Sequence, residues 1–369
     1  MKKLLIMNDL LYGGGVEKVM MDLVNNLSSE KYEITILTPF RDKESYKFYK
    51  KDIKFITLYK GVLKQTNIFA RIYNKIIKKI TSILCKRYIN KKHFDIAIAI
   101  KEGDTMKYIS NLNVSNKIAW IHTDYDIFHW TKSSFKNDEE ELECMKKFNS
   151  IVCVTKAIKD ITIKKLGNSN NLCVKYNPIN DKEIIKKSKE LVEDIEKPKE
   201  KPLFITVGRL AKQKGYDRLL SVCKNLNKNY DYELWIIGTG QEEENLKKFI
   251  KENNLNNVKL LGLKENPYKY IAKADWFVCS STWESFGIAI QEAIILDVPV
   301  ITTYCPGACE LLDTNYHGLI VENSEIGILN GMRKALIEPN LSNYYKNMIL
   351  KTENKLKLNN IIKEIEKLF

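Results

Sequence analysis

The sequence predicts an α/β protein made of two doubly wound parallel sheets in series. Short apolar runs alternate with helix-length amphipathic segments, the pattern of strands joined by helical crossovers. The alternation breaks once, at Asn177-Pro178-Ile179-Asn180 and the charged stretch after it, and then restarts. A chain of 369 residues, 44% apolar and 29% charged, is long enough for two cores and too apolar to be disordered.

In order, residues 3–7 form the first strand, Gly13-Gly14-Gly15 a turn and residues 16–27 a helix. Asn8 and Asp9 interrupt the first apolar run and no small-residue cleavage site follows, so this start is a strand and not a signal peptide. Strands are expected at 33–37, 52–56, 94–100, 117–121 and 150–154, with a long amphipathic helix between the third and fourth. The first domain is expected over 1–178 and a linker region, a short helix plus an exposed connector, over 179–201. A second domain over 202–342 carries strands at 203–207, 233–237, 258–261, 276–279, 298–302 and 317–321, with a helix at 216–227. Residues 343–369 form a polar helical segment. No apolar run approaches the ~20 residues that span a bilayer, which places the protein in the cytoplasm or peripherally on a membrane.

The formal charge of +14 is concentrated in one place. Residues 60–92 hold ten cations, Lys60 and Lys92 at the ends, and no Asp or Glu. Ile68, Ile72, Ile76, Ile80, Ile83 and Leu84 interleave with them at helical spacing. Two readings stay open: a face for an anionic membrane, or a core-facing helix whose lysines merely meet water. Nucleic acid is not expected as a partner, because no recognition module or basic-aromatic platform is present. The eight cysteines lie mostly in apolar runs without a CxxC pair, which suits buried thiols better than disulfides or zinc.

The segment 280–293 carries the most chemistry. An apolar strand ends in Ser280-Ser281-Thr282, Glu284 follows in the loop, Ser285-Phe286-Gly287 opens a helix, and Glu292 lies inside it. Ligands of open α/β sheets bind outside the carboxyl ends of the strands, where two such carboxylates would accept hydrogen bonds from vicinal hydroxyls of a sugar or ribose. At the second restart, Gly208 and Arg209 close a strand and Lys214-Gly215 leads into a helix, so Arg209 and Lys214 can bracket a diphosphate. Gly13, Gly14 and Gly15 leave a helix start open to a phosphate. His122 follows a strand of the first domain, and His122, Asp124, Asp126 and His129 could alternatively form a metal site.

Gly13-Gly14-Gly15-Val16-Glu17-Lys18, Gly208-Arg209-Leu210 with Lys214-Gly215, and Glu284-x7-Glu292 together resemble the retaining glycosyltransferases of family 4, of the kind that builds bacterial envelope or capsular polysaccharide. The resemblance implies the GT-B fold, two Rossmann-like domains facing across a cleft. It also implies a nucleotide-diphosphate sugar as donor and a glycan or lipid-linked acceptor; no metal cofactor is expected, because cations can stabilise the departing diphosphate. By position, Arg209 and Lys214 would hold the diphosphate, Glu284 the transferred sugar, and Glu292 the ribose. His122 would face the reaction centre from the acceptor side, while the backbone at Gly287 and Gly307, with Glu310, would complete the donor site. A nucleotide-sugar epimerase of the same fold and a non-catalytic nucleotide-sugar-binding subunit are the competing readings.

Overall fold

The computed structural model describes residues 1–59, 68–127, 129–167, 171–312, 316–351 and 356–369. The chain forms two compact units, one of Met1–Ile179 plus Leu356–Phe369, the other of Asn180–Lys355. Each holds one sheet whose strands pair in parallel.

The first unit contains strands β1 (Lys2–Met7), β2 (Tyr32–Thr38), β3 (Lys54–Thr57), β4 (Ile96–Ala99), β5 (Asn116–Ile121), β6 (Ser150–Cys153) and β7 (Leu172–Val174), in the order β3-β2-β1-β4-β5-β6-β7. Continuous apolar runs make these strands because both faces of a wound sheet are covered: Leu4, Leu5, Ile6, Ile98 and Trp120 are fully buried. Helix Gly15–Asn26 buries Val19, Met20, Leu23 and Val24, one stripe at helical spacing. The order reverses between β1 and β4, so loop 8–14 and Lys101-Glu102-Gly103 meet at a switch point.

The second unit contains β8 (Leu203–Val207), β9 (Glu233–Ile237), β10 (Val258–Gly262), β11 (Trp276–Cys279), β12 (Val300–Thr303) and β13 (Gly318–Val321), in the order β10-β9-β8-β11-β12-β13. Its core gathers Phe204, Leu219, Leu220, Tyr232, Trp276 and Met332. Here the reversal falls between β8 and β11, the strands that lead to Lys214 and Glu284.

The short helix expected at the start of the 179–201 region is Asp181–Ser188, capped by Asn180, which accepts from the Glu183 amide at 3.1 Å. That helix packs on helices Tyr268–Ile271 and Ile288–Ile295 of the second unit. Helix Leu358–Glu366, expected as part of one polar tail, belongs to the first unit and buries Leu358, Ile361, Ile362 and Ile365. It is anchored there by Asn116, which donates to the Leu368 carbonyl at 2.8 Å, and by a Lys175–Glu364 pair at 2.9 Å. Strand β7 was not expected; three residues carry too little periodicity to announce a strand.

The basic segment forms helix Ile68–Lys92, while Lys60 and Lys64, and the side chains of Arg71, Lys75 and Lys78, lie outside what is described. Among the described residues no helix is long and apolar enough to cross a membrane.

Candidate active site at the switch point of the second sheet

The strongest cluster of functional groups is assembled by three loops at the carboxyl edge of the second sheet. Strand β8 ends at Val207, and the chain turns through Gly208-Arg209-Leu210 into a short 3-10 turn, Lys212–Lys214. Leu210 donates to the Thr239 carbonyl at 2.9 Å, which ties this loop to the one after β9. Gly215 then takes φ +62°, and a Cβ there would stand 2.2 Å from the Ser280 carbonyl oxygen, so only glycine lets the β8 and β11 loops touch.

The β11 loop is clamped from below. The Arg218 guanidinium donates to the Ser280 carbonyl at 2.9 and 2.6 Å, to the Ser281 carbonyl at 2.7 Å and to Asn323 Oδ1 at 2.8 Å. Asn323 in turn donates to the Thr282 and Tyr304 carbonyls, at 2.8 and 3.1 Å. Thr303 Oγ1 donates to the Ser281 carbonyl at 2.6 Å, and Ser280 Oγ to the Lys214 carbonyl at 2.8 Å. A Cβ at Gly307 would lie 2.1 Å from the Ser285 carbonyl oxygen, so the β12 loop also needs glycine. The loops after β8, β12 and β13, together with Arg218, thus hold the stretch 280–285 in place beneath Glu284.

The clamp brings together Lys214 and Glu284, 70 positions apart, as an ion pair with side chains 24% and 11% exposed. Ser281 Oγ also donates to Glu284 Oε1, at 2.8 Å. Burial works against the Lys214 ammonium, but the adjacent carboxylate outweighs it and holds the lysine above its ordinary range. Arg209 is exposed and makes no ion pair among the described residues. A positively charged fork beside a paired cation is an arrangement chemically able to accept an anion.

Glu292 is 6% exposed in helix Ile288–Ile295, and its Oε1 accepts from Tyr268 Oη at 3.1 Å. Gly287 precedes that helix at φ +91°, Phe286 is buried, and Ser285 is half-buried. Glu310 lies in helix Pro306–Leu311, half-buried. These residues surround the same edge, while Gly13, Gly14, Gly15 and His122 belong to the other unit.

In the first unit the glycine turn carries its own anion. Helix Gly15–Asn26 has no side-chain N-cap, but the buried Glu17 carboxylate folds back so far that a Cβ at Gly14 would stand 2.2 Å from Glu17 Oε2. Asn8 donates to Glu17 Oε1 at 3.3 Å.

His122 Nε2 donates to the Ile100 carbonyl at 2.9 Å, and its backbone amide donates to the buried Glu102 at 3.2 Å. Trp130 Nε1 donates to Thr123 Oγ1 at 3.0 Å and approaches Glu102 Oε1 at 3.3 Å. Burial holds His122 below its ordinary range, against the opposing pull of Glu102. The unfolded chain therefore binds the His122 proton first. The stability contributed by the neutral ring is full above about pH 6.5 and is lost as pH falls below that value toward the folded one. Denaturant unfolding from pH 7.5 down to pH 5.5 is expected to show stability falling, and His122→Gln to flatten that fall. An unchanged slope would assign the titration to another group.

The side chains of the alternative metal site each have protein partners. Asp124 Oδ1 accepts from the amides of Asp126 and Ile127, at 2.9 and 3.2 Å, and Asp126 pairs with Lys164 at 2.8 Å. His129, Asp138 and Glu141 bring ligand atoms within 4.8 Å of one another. The Lys165 ammonium already lies between two of them, 2.9 Å from Glu141 Oε2 and against His129 Nε2. Thr131 donates to the other Glu141 oxygen at 2.8 Å, so both oxygens of that carboxylate have partners.

Sequence reading missed Arg218, Asn323 and Tyr268. Each is a polar residue without a motif, and the partners its side chain finds lie 19 to 105 positions away. Only folding exposes such roles.

Two wound parallel sheets in series, with charged side chains gathered where the second sheet reverses, match the GT-B class of glycosyltransferase. Comparison with known proteins agrees. The model for Glycosyltransferase Family 4 matches residues 13–183 and that for Glycosyl transferases group 1 matches residues 187–353. The N-acetylgalactosamine-N,N'-diacetylbacillosaminyl-diphospho-undecaprenol 4-alpha-N-acetylgalactosaminyltransferase of Campylobacter jejuni is 28% identical over 94% of this chain and 93% of its own. The capsular polysaccharide biosynthesis glycosyltransferase CapM of Staphylococcus aureus is 27% identical over 57% and 55%. Among solved structures, Anabaena HepE in complex with UDP-glucose shares the fold at a TM-score of 0.77 and 15% identity, covering 100% of this chain and 99% of that one. The chain belongs to the family 4 glycosyltransferases of the GT-B fold.

Proposed function

We propose that the enzyme binds a nucleotide-diphosphate sugar at the β8–β11 edge and transfers the sugar, with retention, to a hydroxyl of a glycan or lipid-linked acceptor. The observation that carries this reading is the Lys214–Glu284 pair at the switch point, beside the exposed Arg209. A diphosphate offers Lys214 a stronger anion than one carboxylate. Its arrival frees Glu284 to accept hydrogen bonds from the hydroxyls of the attached sugar. Glu292, with Tyr268, serves the ribose. The HepE complex, named for its UDP-glucose, lends support to a donor of this class. The names of the Campylobacter and Staphylococcus relatives lend support to a polyprenyl-linked or capsular acceptor.

The reaction asks little covalent chemistry of the protein. The bond between the anomeric carbon and the phosphate oxygen breaks, and the acceptor oxygen bonds to that carbon on the same face. The acceptor proton passes to the departing phosphate oxygen. Arg209 and Lys214 take up the charge that develops on the diphosphate, electrostatic stabilisation of the kind that supplies most of many rate enhancements. Two cations, Arg209 and Lys214, fill the role of a metal, so we assign none.

Thermal unfolding against UDP, GDP, ADP and dTDP, with and without EDTA, tests the site. A ligand at 100 times its Kd adds about 2.7 kcal/mol to the folded state. One nucleotide is expected to raise the unfolding temperature, unaffected by EDTA, and its sugar donor to be consumed only when acceptor is present. Loss of the shift with EDTA would sink the metal-free assignment. Absence of any shift would sink the donor site, and conversion of donor without acceptor would make the enzyme an epimerase.

A further inference from the structure

We infer that the outward face of helix Ile68–Lys92 is a docking surface for an anionic lipid bilayer. The helix has two sides among its described side chains. Cys85 and Ile89 are buried, so their side of the helix is fastened to the first unit; near the C-terminal end the Asn90 side chain, at the border of the outward face, also accepts from the Asn113 amide at 3.1 Å. On the other side Ile72, Tyr73, Ile76, Ile80, Ile83 and Leu84 are 43–57% exposed. At 3.6 residues per turn these six fall within an arc of about 120°. The core-helix reading of this segment therefore fails for these side chains: the bulky apolar residues point to water.

The cations sit on the same exposed surface. Arg87 and Lys91 lie within the arc and Lys79 and Lys86 along its border, all of them exposed. No Asp or Glu occurs anywhere in residues 60–92. A continuous exposed apolar strip marks an interaction site, and its charge selects the occupant. A second copy of the same helix would press cations against cations with no acid on either side. A nucleic acid would answer the cations and leave the isoleucines in water. An anionic bilayer answers both, with the apolar arc at the acyl boundary and the lysines among phosphate headgroups. The helix would lie on the membrane, since it is too charged to cross it.

Sedimentation of the full-length protein with large unilamellar vesicles decides the matter. The protein is expected to pellet with vesicles of phosphatidylcholine and phosphatidylglycerol and to stay in solution with phosphatidylcholine alone. Combining Lys79→Gln, Lys86→Gln and Arg87→Gln should weaken that partition by about tenfold or more. Combining Ile76→Ser, Ile80→Ser and Leu84→Ser should weaken it comparably, with thermal unfolding and nucleotide binding unchanged because all three side chains are exposed. Wild-type protein left in solution with both vesicles, or pelleting equally with both, would overturn the proposal. So would serine variants that bind vesicles normally but shift the protein from dimer to monomer in sedimentation velocity, which would assign the face to a second copy.

Discussion

Arg209→Ala is expected to lower kcat/KM by about a hundredfold or more, the scale found when one preorganised donor is removed from a developing charge. Arg209 is exposed and makes no ion pair among the described residues, so nothing in the fold relies on its charge. The unfolding temperature should therefore stay within the range of ordinary surface substitutions, about ±0.5 kcal/mol in stability. Arg209→Lys separates charge from shape. A lysine keeps the charge and loses the planar fork, so it should recover part of the loss and not all of it. Steady-state rates with saturating acceptor, beside Kd for the nucleoside diphosphate, make the comparison. A loss of tenfold or less with the fold intact would remove Arg209 from the donor site.

Much of the fold is legible because both sheets are parallel and covered on both faces, which turns strands into unbroken apolar runs. Residues 276–279 are the clearest case: Trp276-Phe277-Val278-Cys279 is the whole of β11, and all four are buried. The order of strands is not written in such runs. It follows from which helix covers which face, and the switch points appear only after assembly.

Helix Leu358–Glu366 shows the limit. Its apolar stripe announces an amphipathic helix, but the surface that receives it belongs to the first unit, far back along the chain. The candidate site divides in the same way. Glu284, Glu292, Arg209 and Lys214 are visible because motif spacing places them beside strand ends. That Lys214 and Glu284 neutralise each other depends on contacts across 70 positions. Arg218 and Asn323, which hold the loop under Glu284, have no local signature at all. Gly215 and Gly307 lie between the two cases. Their identity is plain in the sequence, but the carbonyls that crowd them, Ser280 and Ser285, belong to another part of the chain.

Lys214→Met should both destabilise the second unit and lower kcat/KM by about a hundredfold or more, and the two effects have different origins. Breaking a buried ion pair by removing one partner costs about 3–5 kcal/mol, because a charge is left stranded. The pair here keeps 24% and 11% side-chain exposure, and Ser281 still donates to Glu284. A loss of about 1–3 kcal/mol is therefore the expected scale. Glu284→Gln removes the charge that would be stranded, so the double variant Lys214→Met/Glu284→Gln should regain most of the stability and none of the activity. The single variant Glu284→Gln frees Lys214 and should tighten binding of the nucleoside diphosphate while impairing transfer of the sugar. Chemical unfolding of the four proteins forms a double-mutant cycle, and a coupling energy near zero would mean that the pair contributes nothing. If the double variant were as unstable as Lys214→Met, the lysine would act through the packing of its stem against Gly208 and not through its charge. Unchanged nucleotide affinity in Glu284→Gln would sink the exchange of carboxylate for diphosphate on which the proposed donor site depends.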